Sequence, residues 1–337
     1  FGKIFKSIWN KEKEPNQWKA LSNYIIKKNP NKIAINISEN YALADGLVKT
    51  DYEGLLKFLP DRYVKKLVSS EPIAVSWIEQ RSPSEMNIYR QLVEITHNII
   101  KEAFSTKVIT PGVTSTDDVV WWLRQKVSSL GLSTWFHPTV DVQRKDNSDL
   151  YSFDSKSKYD IIYPGDLVHC DFGISYLRLN TDCQQLAYVL KPNENDAPIE
   201  LKEAFEKGNR VQDLLTDSFE KGRSGNYILK KALNLGFKEG LRPQIYTHPL
   251  GLFGHSAGTT IGMWDSQEGV KGSGEYLLNF NTAYAIELNT KVYIKSWKKD
   301  VRIMLEEAGY FDERGFRYIN GRQNKLILIG EKTGNIQ

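Results

Sequence analysis

Cysteine is scarce: Cys170 and Cys183 are the two among 337 residues, too few for a disulfide-built scaffold. Long hydrophobic runs are absent, and no stretch reaches the ~18 apolar residues that a membrane span needs. Dense Lys/Arg blocks are missing too. Forty-five basic against 41 acidic residues leave a net charge of only +4, which argues against a dedicated nucleic-acid binder. No short-period repeat is evident. What remains is ordinary globular usage, 40% apolar and 26% charged. That excludes disordered, collagen-like and coiled-coil proteins and allows about two domains with a large core. The sequence starts at Phe1, and residues 1–9 are amphipathic without the apolar core and cleavage site of a signal peptide. A cytoplasmic protein is the expectation; a periplasmic or secreted one is the alternative if a targeting segment precedes Phe1.

Alternation predicts strands at 31–38 and 72–78, and short helices are expected at 51–59 and 61–68. Residues 1–80 thus read as a small α/β unit. A sharp helix start follows. Ser82-Pro83-Ser84-Glu85 combines an N-cap serine, a proline at the first helical position and the glutamate of a capping box. Ile88, Leu92, Ile95 and Ile99 then repeat at helical spacing to about Phe104. A second helix is expected over 114–130, capped by Ser115 or Thr116, with Val119, Val120, Leu123 and Val127 inward. Residues 136–144 read as a strand, 145–158 as a polar loop, and 167–174 with 181–190 as a hairpin. Two helices near 199–220 and 224–235, a Gly-rich loop at 269–274, and strands near 283–288 and 301–308 complete a coarse echo of two helices followed by a hairpin.

The chemistry-bearing residues lie on these strands. If Asp171 pairs opposite Asp182, two carboxylates share one sheet face, an arrangement that needs a compensating cation; turn-capping aspartates are the alternative. The same register sets Cys170 opposite Cys183 on the other face, read as packed thiols rather than a disulfide. His169 shares the carboxylate face, as an active-site group or a hydrogen-bonded structural histidine. His248 and His255, seven apart around two glycines, suit a loop that brings imidazoles to a site, though two unrelated loop histidines would read the same. Glu287 sits within the apolar run AIEL, and Glu306, preferred over Glu307, ends another; salt bridges are the alternative to ligation. Oxygen-rich donors with one imidazole suit two divalent ions, Mn²⁺, Co²⁺ or Zn²⁺ before Mg²⁺, and a metal pair is hydrolytic. Trp121, Trp122 and Trp135 are read as core or dimer packing rather than a ligand platform.

The order Asp171, Asp182, His248, Glu287, Glu306 resembles the pita-bread metallopeptidase family, which includes aminopeptidase P, prolidase, methionine aminopeptidase and creatinase. The likeness runs from about Ser82 to Leu328. Its most specific segments are Gly165-Asp166 through Asp171-Phe172-Gly173 to Asp182, and His248-x₆-His255 followed by Ser-Ala-Gly258. The resemblance implies an α+β pita-bread fold, a curved antiparallel sheet covered by helices. Residues 81–337 would be the catalytic domain and 1–80 a remnant of the family's N-terminal creatinase-like domain. It implies Asp171 as terminal ligand of one metal, Asp182 and Glu306 as bridges, and His248 and Glu287 on the second metal. His255 would steady the substrate, Glu287 would shuttle a proton, and a metal-bridging hydroxide would attack the scissile carbonyl. The implied cofactor is a pair of divalent ions, foremost Mn²⁺. The implied activity is an aminopeptidase of Xaa-Pro type acting on a peptide substrate, in a homodimer. A prolidase-like dipeptidase, a non-catalytic peptide-binding module and a metal-free creatinase-type hydrolase are the alternatives. The loop at 149–159 lacks a histidine common in the family, which leaves His137 or His169 to fill that space. The segment from Gly262 to Gln267 lacks the family's acid-proline signature, and Arg302-Ile-Met-Leu-Glu306 stands where Arg-Ile-Glu is common.

Overall fold

The computed structural model describes residues 4–146 and 160–330. It divides into two compact units, Phe1–Trp77 and Ile78–Gln337. Most of the 145–158 loop lies outside the described residues.

In the first unit, helices α1 (Gln17–Lys28), α2 (Lys49–Phe58) and α3 (Asp61–Val64) accompany strands β1 (Ile33–Ile35) and β2 (Leu67–Ser69). The two strands pair in parallel, Ile33 beside Leu67. Ile35, Leu55, Leu59 and Tyr63 form the buried centre. The expected helix at 61–68 is therefore a single turn, and its end is taken by a strand that finds a partner in β1. The expected strand at 72–78 is a helix, α4 (Glu71–Glu79). Glu71 and Pro72 are good first-turn residues. Ile73 and Trp77 are exposed while Val75 and Ile78 are buried, a mixed pattern that short apolar runs conceal.

The second unit opens with α5 (Pro83–Ala103), whose Ser82–Glu85 capping box forms as expected, and α6 (Thr116–Ser129), capped by Ser115. Strands β3 (Thr139–Gln143), β4 (Leu167–Phe172), β5 (Ser175–Tyr176), β6 (Leu179–Asn180) and β7 (Cys183–Val189) follow. Then come α7 (Ile199–Thr216), α8 (Gly225–Lys238), β8 (Pro243–Ile245), β9 (His248–Leu250), β10 (Thr282–Ile294), β11 (Lys299–Asp312), β12 (Gly315–Tyr318) and β13 (Ile327–Ile329). The main sheet runs β3-β4-β7-β11-β10-β8, with β12 on β11, β13 on β7 and β9 on β10. Apart from the parallel β13–β7 pair, its ladders are antiparallel. Helices α5 and α6 pack on β3, β4 and β7, and α7 and α8 on β8, β10 and β11, so the echo of two helices and a hairpin is a repeat in space. Val119, Val120, Leu123 and Val127 are all buried.

The β4–β7 register is shifted by two residues from the expected one. Asp171 faces Gln184, Cys170 faces Gln185, and Phe172 faces Cys183. A shift of two preserves the face of every side chain, so the carboxylates stay together while the cysteines are diagonal. Both cysteines are free and buried, and burial pushes both thiols well above their usual pKa.

Candidate active site

Antiparallel pairing carries one row of residues across the sheet. Asp171 on β4 faces Gln184 on β7, Gln184 faces Glu306 on β11, and Glu306 faces Glu287 on β10. Two glutamates directly opposite each other are destabilising without a cation between them. Asp182, just before β7, and His248, the first residue of β9, join this row from its open side. One oxygen each of Asp171, Asp182 and Glu306 lie within 4.8 Å of one another, as do ligand atoms of His248, Glu287 and Glu306. Glu306 belongs to both sets. Asp182 also adjoins the second set, with Oδ2 3.7 Å from His248 Nε2. The five side chains singled out from the sequence thus converge as two overlapping donor sets.

The electrostatics ask for cations. Burial, then the charge of Glu306, pushes the carboxyls of Asp171, Asp182 and Glu287 well above their ordinary pKa. Burial raises Glu306 to about 8. Among the described residues, Asp171 Oδ1, Glu306 Oε1 and His248 Nε2 are buried without a hydrogen-bond partner. His248 Nδ1 lies 3.1 Å from its neighbour's carbonyl, Pro249 O; donating there leaves Nε2 as a bare lone pair aimed at the acids. Burial holds this imidazole neutral down to about pH 4. Orphaned oxygens and an orphaned nitrogen around a shared carboxylate fit a pair of divalent ions.

Within the row, Gln184 Nε2 donates to Glu287 Oε1 at 2.7 Å and to Glu306 Oε2 at 2.9 Å, while its Oε1 lies 2.9 Å from His169 Nε2. His169 in turn has Nδ1 3.7 Å from Asp141. The histidine is buried and stands outside the cavity lining; its hydrogen bond towards the acids runs through Gln184, while its charge acts directly on Asp171 and Glu306. His137 is exposed, with Nδ1 2.8 Å from Arg124 Nη1, and belongs to neither donor set around Glu306; residues 149–158 lie outside the described residues.

In front of the row is a cavity of about 220 Å³, lined by Asp171, Asp182, Glu287, Glu306, Trp135, Phe136, Tyr246, His255 and Trp264. No Lys or Arg lines it among the described residues. His255 packs edge-on to Trp135 and to His248, with ring centres 5.3 and 4.5 Å apart. Desolvation, then His248, lowers its pKa to about 4. Trp135 is wedged between two glycines. A Cβ on Gly254 would lie 2.3 Å from its ring, and one on Gly173 2.6 Å from its Nε1. That Nε1 donates to Thr181 O at 2.8 Å. Trp135 is therefore a cavity wall, which corrects its reading as packing. Trp121 is exposed, and Trp122 packs against the core.

Gln184, Tyr246 and Trp264 were not singled out from the sequence. The first two had a signal. Gln184 is two residues after Asp182 and Tyr246 two before His248, the spacing that shares a strand face.

The sequence model of metallopeptidase family M24 matches residues 87–307. X-Pro aminopeptidase from Thermotoga maritima MSB8 is 15% identical, with a TM-score of 0.65 over 92% of this chain and 79% of that one. Xaa-Pro dipeptidase from Bacillus anthracis is 17% identical, with a TM-score of 0.61 over 92% and 78%. The N-terminal domain of FACT complex subunit SPT16 from Cicer arietinum (chickpea) is 12% identical, with a TM-score of 0.61 over 94% and 75%. No curated protein matches the sequence.

Proposed function

Because the chain belongs to metallopeptidase family M24, a family of metal-dependent peptide hydrolases with the pita-bread fold, we propose that it is an aminopeptidase that removes the N-terminal residue from peptides, with Xaa-Pro bonds as its substrate class. Residues 1–80 are assigned as the remnant of a creatinase-like N-terminal domain. The observation that carries the activity is the double donor set around Glu306, with its orphaned atoms and no basic residue lining it among those described.

Asp171, Asp182 and Glu306 would hold one divalent ion, and His248, Glu287 and Glu306 the other. Mn²⁺ is the first choice, Co²⁺ or Zn²⁺ the next. Such a pair supplies Lewis acidity and an activated water. The protein's own groups do the rest. His255, neutral above about pH 4, presents a ring N–H at the cavity to steady the carbonyl oxygen as it gains charge. Glu287 reaches the cavity and carries a proton towards the leaving amine. His169 acts through Gln184 as a positioning residue. Trp135, Phe136, Tyr246 and Trp264 enclose the site and offer flat faces to a proline ring.

The runner-up is a prolidase-like dipeptidase. Such an enzyme must receive a free C-terminal carboxylate beside the scissile bond. The described cavity wall offers that carboxylate no Lys or Arg. This favours longer peptides. A non-catalytic peptide-binding module has no need of the donor set. The test loads chelated protein with Mn²⁺ and compares an Xaa-Pro dipeptide with an Xaa-Pro-Yaa tripeptide. Cleavage of the tripeptide at least tenfold faster is expected. Preference for the dipeptide would install the runner-up, and no cleavage with Mn²⁺, Co²⁺ or Zn²⁺ would end the peptidase reading.

A further inference from the structure

The strands that carry the acids alternate, and their next residues build a second cluster on the opposite face. Cys183 follows Asp182, and Glu307 follows Glu306. The β7–β11 register that sets Gln184 against Glu306 brings Cys183 beside Glu307. Helix α5 lays His97 over them, with Nε2 2.7 Å from Glu307 Oε2. Ligand atoms of His97, Cys183 and Glu307 all lie within 4.8 Å of one another.

Glu307 is held in place. Its Oε1 accepts from Gln323 N at 2.9 Å and from Gln185 Nε2 at 3.2 Å, which leaves Oε2 turned to the histidine and the thiol. His97 has its other ring nitrogen, Nδ1, 3.4 Å from Asn320 Nδ2; turning this amide over would let its oxygen accept Nδ1–H when Nε2 binds a metal. Access is provided. His97 and Gln185 form part of the wall of a cavity of about 660 Å³ on this face, whose lining also includes Lys101, Arg322 and Lys325.

We propose that His97, Cys183 and Glu307 form a mononuclear metal site of the zinc class, separate from the two-ion centre, with its fourth position towards the 660 Å³ cavity. One sulfur, one nitrogen and one oxygen are donors that Zn²⁺ takes in tetrahedral geometry, and three protein ligands leave one place for water or an anion. The sulfur separates this site from the first, which has only oxygen and nitrogen donors. Binding replaces the His97–Glu307 hydrogen bond and the Cys183 proton, and the proton is released to solvent.

The test uses the full chain, stripped by chelator and titrated with Co²⁺ under anaerobic reducing conditions. A thiolate bound to cobalt gives a near-ultraviolet charge-transfer band that oxygen and nitrogen ligands do not. The expected result is such a band in the unmodified protein and in Cys170→Ala. Cys183→Ala should abolish it and bind one ion fewer per chain by elemental analysis; His97→Gln should weaken cobalt binding at the band at least tenfold. No band in the unmodified protein, or a band that survives Cys183→Ala, overturns the proposal. The band is measured without peptide cleavage, so activity or inactivity at the two-ion centre has no bearing on it. His97→Gln covers the case in which Cys183→Ala does not fold.

Discussion

A single amide organises the acids. Gln184 is buried, and its NH₂ group spans Glu287 and Glu306 while its oxygen meets His169. Two like-charged side chains face each other across β10 and β11, and the shared donor sets how far apart they stand. Leucine at this position keeps the volume and removes all three hydrogen bonds. The expected outcome for Gln184→Leu is Mn²⁺ binding weaker by ~10–100-fold in calorimetric titration, with the far-ultraviolet circular dichroism unchanged. Unaltered affinity would reduce Gln184 to a packing residue and leave His169 without a hydrogen-bonded route to the site.

At the scale of elements, the site joins mid-strand glutamates of β10 and β11 to groups carried by strand ends and turns. The His248–His255 loop brings Gly254 against the Trp135 ring, an approach that no residue with a Cβ can make without moving the indole. Gly254→Ala should displace Trp135 from the cavity wall. The expected signature is at least a tenfold loss of kcat/KM on the tripeptide, a changed tryptophan emission, and Mn²⁺ affinity within twofold of the unmodified protein. A normal kcat/KM would show that the wall plays no part in holding substrate. Much of this architecture was legible in residues with a local mechanism. The Ser82–Glu85 box, the spacing of Ile88, Leu92, Ile95 and Ile99, and the alternation around Asp171 and Glu287 each reflect their own segment. What escaped depends on partners distant in sequence. The Asp171–Gln184 register is settled by pairing along β4 and β7, and Trp135 meets its glycines 38 and 119 positions away. The 72–78 run shows the same limit, since a short apolar segment with proline near its start satisfies strand and helix alike.

For the whole molecule, the buried acids make stability depend on pH and on metal together. In the metal-free protein, Glu306 titrates near 8 against an ordinary value of 4.5, and the Asp171, Asp182 and Glu287 pKa values are displaced in the same direction. Glu79, raised by burial to about 7, adds to it. The folded state therefore binds more protons than the unfolded chain, and this contribution falls as pH rises towards 8. His248 and His255 act oppositely, since each drops from 6.5 to about 4 on folding; their contribution is complete above 6.5 and is lost as pH falls through 4. Between pH 6.5 and 8 the acids dominate, so the melting temperature of chelated protein should decline across that window. Divalent ions reverse the sign, because binding requires the ionised carboxylates and releases their protons, and a ligand specific to the folded state stabilises it by mass action. Scanning calorimetry at pH 6.5, 7.2 and 8.0, with EDTA or with Mn²⁺, should show a gap between the two conditions that widens with pH. A metal-free melting temperature that rises through the window, or a gap that narrows, would mean that the five side chains are neutralised by something other than bound cations.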